Sequence, residues 1–285
     1  MPLVTLRQLL DAAEAGGYAV GAFNANNMEI IQAIVETAEE LESPVIIQAS
    51  QGAIKYAGLD MITAMVHAVA GQAKVPVALH LDHGTDFNTV IACIRRGFTS
   101  VMFDGSRYDK EENIARTREI VKIAHAVGVS VEGEIGKIGG VEDDIAVDER
   151  EALLTPVEDA IEFYRATGVD ALAMAFGTAH GHYKLPPKLA FDRIEAVHRE
   201  TGAYLVMHGG SGVPDEDVKK AIQLGVRKIN VDTEIREAFV AALRQVMQEK
   251  PGEIDPRKLL GPAKEAAKAK LREKMTLFGS VGRAR

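Results

Sequence analysis

The chain has one cysteine in 285 residues, no excess of basic charge and no long apolar run, and each shortage removes a class of explanation. A lone Cys93 cannot close an internal disulfide, which fits a reducing compartment such as the cytoplasm. Lys and Arg number 33 against 41 Asp and Glu, a net charge of −8, which disfavours nucleic acid or an anionic membrane as partner. An anionic small substrate would need locally built positive sites. The opening Met1-Pro2-Leu3-Val4-Thr5 is followed by Arg7 and Asp11, so neither a signal peptide nor a membrane span is expected there. The Gly-rich dinucleotide fingerprint is also missing: Gly21 stands alone before Phe23-Asn24, which argues against a Rossmann sheet. No composition break marks a second domain, and residues 1–285 read as one.

What is present is an alternation of short apolar runs with helical patterns. Runs over 18–24, 44–50, 75–82, 98–104, 129–134, 169–176, 203–208 and 226–232 predict eight strands. Crossover-length helical patterns separate them, for example over 28–41, 111–126, 157–166, 190–200 and 215–223. Thr5 reads as the N-cap of a short helix carrying Leu6, Leu9 and Leu10. Eight β–α units in this length point to an α/β fold, a closed (β/α)8 TIM barrel, with a doubly wound open sheet as the alternative. The Lys-, Glu- and Ala-rich stretch after Asp232 reads as additional C-terminal helices, which cover the barrel or meet another subunit.

The unusual polar residues fall at or just after the ends of those strands: Asn24, Ser50, Asp82, His83, Asp104, Glu134, His180, His208, Asn230 and Asp232. In a barrel these ends share the rim that carries active sites. Alone, Asp82-His83 could equally be a capping acid and a packed imidazole, and strand alternation would point the two in opposite directions. His83, His180 and His208 come from three different strands, which meets the three-ligand need of a catalytic Zn²⁺ with one position open. His67, His125 and His198 lie within helical patterns and read as structural. The turns after strands 7 and 8, Gly209-Gly210-Ser211-Gly212 and Asn230-Val231-Asp232-Thr233, expose N–H groups and hydroxyls where such barrels bind phosphate, and Lys184 could add a charge. The Gly-rich, acidic stretch from Gly136 through Glu142 to about Pro156 reads either as a lid or as a solvated loop.

These motifs, in this order, resemble the class II, metal-dependent fructose-1,6-bisphosphate aldolases and their tagatose-bisphosphate relatives. The resemblance runs from about Leu6 to Phe239 through Ala22-Phe23-Asn24, Leu81-Asp82-His83-Gly84, Phe103-Asp104-Gly105-Ser106, Glu132-Gly133-Glu134-Ile135-Gly136, Gly139-Gly140-Val141-Glu142-Asp143, Gly177-Thr178-Ala179-His180-Gly181, His208-Gly209-Gly210-Ser211-Gly212 and Asn230-Val231-Asp232-Thr233. It implies that His83, His180 and His208 hold the catalytic zinc, and that Asp104 and Glu134 hold a second divalent metal or an alternative zinc position. It further implies that Asp82 moves the proton on the C4 oxygen and that Glu142, on a lid, transfers a proton at the ketone-side carbon. Gly181, Lys184, Gly209, Gly210, Ser211, Asn230, Val231, Asp232 and Thr233 match the triose-phosphate site, and Arg236 matches a residue for the distal phosphate. Asn24 and Ser50 join the substrate-binding set. The family relation also implies a sugar bisphosphate as the small-molecule partner, a monovalent cation (Na⁺ or K⁺) as a further cofactor, and a homodimer or homotetramer. The chemistry suits these residue types: cleaving C3–C4 leaves a carbanion beside a carbonyl, which a Lewis acid spreads into an ene-diolate.

Asp232 and the Gly210-Ser211-Gly212 turn resemble the fructose group, whereas Ala179 before His180 is common on the tagatose side. Three rivals remain from the sequence. Lys228, in phase with Asn230, could form a Schiff base or a structural ion pair; a metal-dependent barrel hydrolase would want a His-X-His pair that His80-Leu81-Asp82 does not supply; and a sugar-phosphate-binding barrel without catalysis would not need Asp82 and Glu142.

Overall fold

The computed structural model describes residues 3–142, 145–147, 154–181, 183 and 187–284. Eight parallel strands close into a barrel: β1 (Val20–Asn24), β2 (Val45–Ser50), β3 (Val77–Gly84), β4 (Ser100–Phe103), β5 (Ser130–Ile135), β6 (Ala171–Met174), β7 (Tyr204–Met207) and β8 (Val226–Val231). They neighbour one another in chain order, and β8 closes on β1 with Ala22 opposite Asn230. The closed barrel replaces the open-sheet alternative. Six of the strands are shorter than the apolar runs, by one to four residues. β3 starts later, at Val77, because Pro76 has no N–H to give a ladder, and it runs on to Gly84.

Helices link every consecutive pair, with two, Gln51–Ala57 and Leu59–Gln72, between β2 and β3. Side chains facing out of the strands, such as Phe23, Ile47, Leu79 and Leu205, pack under these helices in the main core. At the N-terminal end, the helix Leu6–Gly16 is started by a capping box in which Thr5 and Gln8 satisfy each other's backbone N–H. Its Leu6, Leu9 and Leu10 enter the barrel and pack on Val20, Ala22, Ile46, Ala78, Ala171, Ala173 and Val206. Each such leucine stabilises by about 1.5–3 kcal/mol relative to an exposed one.

Above that apolar floor the interior turns polar. Glu132, Lys228 and His80 are fully buried; Lys228 Nζ lies 2.9 Å from Glu132 Oε2 and 2.7 Å from Asn230 Oδ1. The C-terminal helices Thr233–Glu249 and Pro256–Leu277 pack together, and the second is tied to the helix Met28–Glu40 by Lys264, Lys268 and Arg272 bridging to Glu36 and Glu40. Among the described residues no helix is long and apolar enough to cross a membrane.

Candidate active site

At the end of β3 the ladder with β4 slips between Leu81 and Gly84, and His83 takes a left-handed φ of 48°. Such a φ is uncommon for a residue with a side chain and collects at functional sites. Strand alternation therefore does not separate Asp82 from His83. Asp82 stays inside the barrel while the bulge turns the His83 ring over the rim, so the opposite-facing arrangement expected from the sequence is corrected. Gly84 permits the bulge, since a Cβ there would meet the Met102 carbonyl oxygen at 2.5 Å.

The three histidines converge. The ring centroids of His83, His180 and His208 lie 4.7–5.5 Å apart, near-perpendicular to one another, and all three residues are buried. His83 Nδ1 sits 2.9 Å from Asp104 Oδ2, and His208 Nε2 sits 2.8 Å from Glu132 Oε1. With those outer nitrogens donating to carboxylates, the inner pair, His83 Nε2 and His208 Nδ1, face each other at 3.1 Å as two lone pairs. One nitrogen of each of the three rings falls within 4.8 Å of the others, and His83, Asp104 and Glu134 form a second such group. Glu134 Oε2 is buried without a hydrogen-bond partner, 4.0 Å from His208 Nδ1. Facing lone pairs, carboxylates fixing the outer nitrogens and an orphaned carboxylate oxygen fit a divalent cation.

The electrostatics agree. Burial, and then the Lys228 charge, hold His80 well below its ordinary pKa; burial also lowers His208, so both rings are neutral near pH 7. Burial pushes the Glu132 carboxyl up, but the Lys228 charge and the His208 hydrogen bond outweigh it and leave it well below the usual range. Asp104 is likewise held low, its burial overcome by His83 and by donors from Ser106. Glu134 goes the other way, raised by burial and by the Asp104 charge. Two carboxylates that share a site repel, so one is held low and the other raised.

Asp82 is fully buried and clamped by three amides: Asn24 Nδ2 at 2.9 Å and Gln48 Nε2 at 3.0 Å on Oδ2, and Asn230 Nδ2 at 3.3 Å on Oδ1. Asn24 in turn accepts from Gln48 at 2.6 Å. Because Lys228 holds Asn230 and pairs with Glu132, which holds His208, one polar network joins the Asp82 carboxylate to the histidine cluster. Sequence reasoning had no role for Glu132, Gln48, His80 or Ser100. Their positions in phase with Glu134, Ser50, Asp82 and Met102 were the available clue.

The two Gly-rich turns lie side by side, Gly210 N donating to Asn230 O at 3.0 Å, and Ser211 of the first turn is buried. The Val231 side chain points outward into the main core, leaving only its backbone for the site. Tyr183, which the sequence did not single out, clasps the turn: its hydroxyl accepts from Ala179 N and donates to Gly209 O, both at 2.8 Å. Gly209 has φ 63°, and a Cβ there would collide with the Ala179 carbonyl oxygen. Gly209→Ala is expected to cost about 1–3 kcal/mol, read as a lowered Tm; an unchanged Tm would show that the turn relaxes freely.

Ser50 caps the helix Gln51–Ala57 through Ala53 N at 3.1 Å. Arg236 pairs with Asp232 at 2.6 Å on the wall of an open cleft of about 880 Å³, with Lys55 and Tyr56 also lining it. Thr233 opens the helix that carries Arg236, and Gly181, with φ 82°, follows His180. Over its described residues, the stretch expected to be a lid or a solvated loop contains a hairpin pairing: Gly139–Glu142 pairs antiparallel with Ile145–Val147 and parallel with Ala179–His180. Glu142 stands in that hairpin, but its side chain, like Lys184, Asp143 and Asp144, lies outside the described residues. His67, His125 and His198 bond to Gly97 O, Asp170 and Ala203 O respectively, away from the rim.

A closed parallel barrel whose C-terminal rim gathers metal-compatible histidines, acids and Gly-rich turns has the architecture of a (β/α)8-barrel enzyme. The family model described as fructose-bisphosphate aldolase class-II matches residues 4–283, and the chain belongs to that family. It is an aldolase, a lyase. Among its relatives, a fructose-bisphosphate aldolase of Thermus caldophilus is 49% identical over 99% of this chain and all of that one. A sulfofructosephosphate aldolase of Alkalicoccus urumqiensis is 48% identical over all of this chain and 99% of that one. The crystal structure of the YdjI aldolase from Escherichia coli K12 superposes with a TM-score of 0.88 at 33% identity, covering 99% of this chain and 100% of that one.

Proposed function

We propose that the chain catalyses the reversible cleavage of fructose 1,6-bisphosphate to dihydroxyacetone phosphate and glyceraldehyde 3-phosphate, with zinc held by His83, His180 and His208. The observation that carries the reading is the facing His83 and His208 nitrogens, 3.1 Å apart, beside a fully buried Asp82. Zinc bound there supplies a Lewis acid for the charge that develops next to the ketone. Asp82 accepts the proton of the C4 hydroxyl in cleavage and returns it in condensation, its oxygens aimed by Asn24, Gln48 and Asn230. Glu142 moves the proton at the ketone-side carbon. Asp104 and Glu134 offer a second divalent position. Gly181, Lys184, Gly209, Gly210, Ser211, Asn230, Val231, Asp232 and Thr233 take the triose phosphate and Arg236 the distal phosphate; Asn24 and Ser50 complete the substrate-binding set, and a monovalent cation is a further cofactor. The Lys228 ion pair with Glu132 favours a structural Lys228 over a Schiff base. The lone Cys93 supports a cytoplasmic setting and the acidic net charge disfavours nucleic acid as a partner; a homo-oligomer is expected from the family relation.

A coupled assay of triose phosphate release tests the reading. Fructose 1,6-bisphosphate should exceed tagatose 1,6-bisphosphate in kcat/KM by at least about tenfold, roughly 1.4 kcal/mol, and EDTA should abolish both activities. The matching sulfonated ketose phosphate belongs in the same comparison. A preference for tagatose would overturn the substrate, and turnover in EDTA with borohydride trapping at Lys228 would overturn the metal.

A further inference from the structure

Glu234, in the first turn of the helix Thr233–Glu249, sits where the two Gly-rich turns meet the C-terminal helix. Its Oε1 accepts from Gly212 N at 2.6 Å and from Lys274 Nζ at 2.9 Å, and its Oε2 lies 2.8 Å from Lys274 Nζ and 3.7 Å from Lys270 Nζ. Glu234 N points back at Ser211 Oγ, 3.5 Å away. Lys274 is buried, although a lysine is seldom buried unless paired. Gly212 has φ 79°, a conformation that the bond to Glu234 helps to hold.

A carboxylate beside a phosphate-binding turn is useful only if its charge is cancelled, because two anions repel as the inverse of their separation. Lys274, whose Nζ reaches both carboxylate oxygens, cancels it, leaving Glu234 able to anchor Gly212 without repelling the ligand. From this geometry we infer that Lys274 is a positioning residue for phosphate recognition, acting through Glu234 on the Gly209–Gly212 turn. The inference rests on the reading that this turn takes the triose phosphate.

The test measures KM for dihydroxyacetone phosphate in the condensation direction, the inhibition constant of inorganic phosphate, and kcat, on metal-loaded enzyme. Lys274→Met should raise the KM and the inhibition constant together by about tenfold, the effect of losing one charge-assisted hydrogen bond, with kcat changed by less than about twofold. Lys274→Arg should recover most of the loss, and adding Glu234→Gln to Lys274→Met should recover part of it by removing a charge that Lys270, 3.7 Å from Oε2, cancels only in part. Lower thermal stability with both constants unchanged would make Lys274 merely structural and overturn the inference. Ser211→Ala separates the two levels: if it weakens phosphate binding while Lys274→Met does not, only the positioning role falls, whereas no effect of either removes the phosphate turn itself. Should Lys274→Met fail to fold, Glu234→Ala takes its place, with a tenfold rise supporting the role and unchanged constants overturning it.

Discussion

Asp82→Ala is expected to reduce kcat by about 10²–10⁴-fold, the range for losing a positioned proton carrier, while metal content per chain stays as in the wild type. The separation follows from geometry: Asp82 belongs to neither group of metal-compatible side chains, and its oxygens are taken up by Asn24, Gln48 and Asn230. Alanine would leave three buried amides without their shared acceptor, so Tm should fall too, by an amount that urea or heat unfolding can report. Parallel measurement of kcat and of zinc by atomic spectroscopy checks the assignment. Full turnover, or metal lost in proportion to activity, would remove Asp82 as the proton carrier.

His208→Ala should behave in the opposite order, with metal leaving first. Removing an outer partner of a metal-bound histidine typically costs 10–100-fold in metal affinity, and loss of the ligand itself should exceed about 100-fold. The change also strips Glu132 Oε1 of its 2.8 Å partner, leaving the buried carboxylate with Lys228 and His80 at its other oxygen only. After dialysis the variant should hold well under one zinc per chain and turn over negligibly, even with the Asp82 clamp in place. One tightly held zinc per chain would mean that the third ligand is another residue, with Glu134 the first to examine because its Oε2 approaches His208 Nδ1 to 4.0 Å.

The barrel was legible because its strands are buried on both faces and so read as largely apolar runs, most of them closed by a polar residue that had no business in a core. His83, His180, His208, Asp104 and Asn230 stood out for that reason, and the fold brings them to one rim. Two things were not legible. The bulge at His83 obeys no periodicity, since it depends on β4 running past Gly84, so alternation misplaced the ring relative to Asp82. Glu132, Gln48 and His80 sit one step deeper, inside strands, where a polar residue is disguised by its apolar neighbours until partners from other strands are known. Tyr183 and Glu234 escaped for a third reason: each acts on the backbone of a distant turn, and such contacts leave no pattern in residue types.

The leucines of the helix Leu6–Gly16 fill the far end of the barrel. A cup with a sealed floor has one door. Substrate, water and both products must therefore cross the same rim. A molecule too broad to sink past the rim would then imprison whatever had already gone in, and its strength as an inhibitor would show in how slowly the buried fragment escapes.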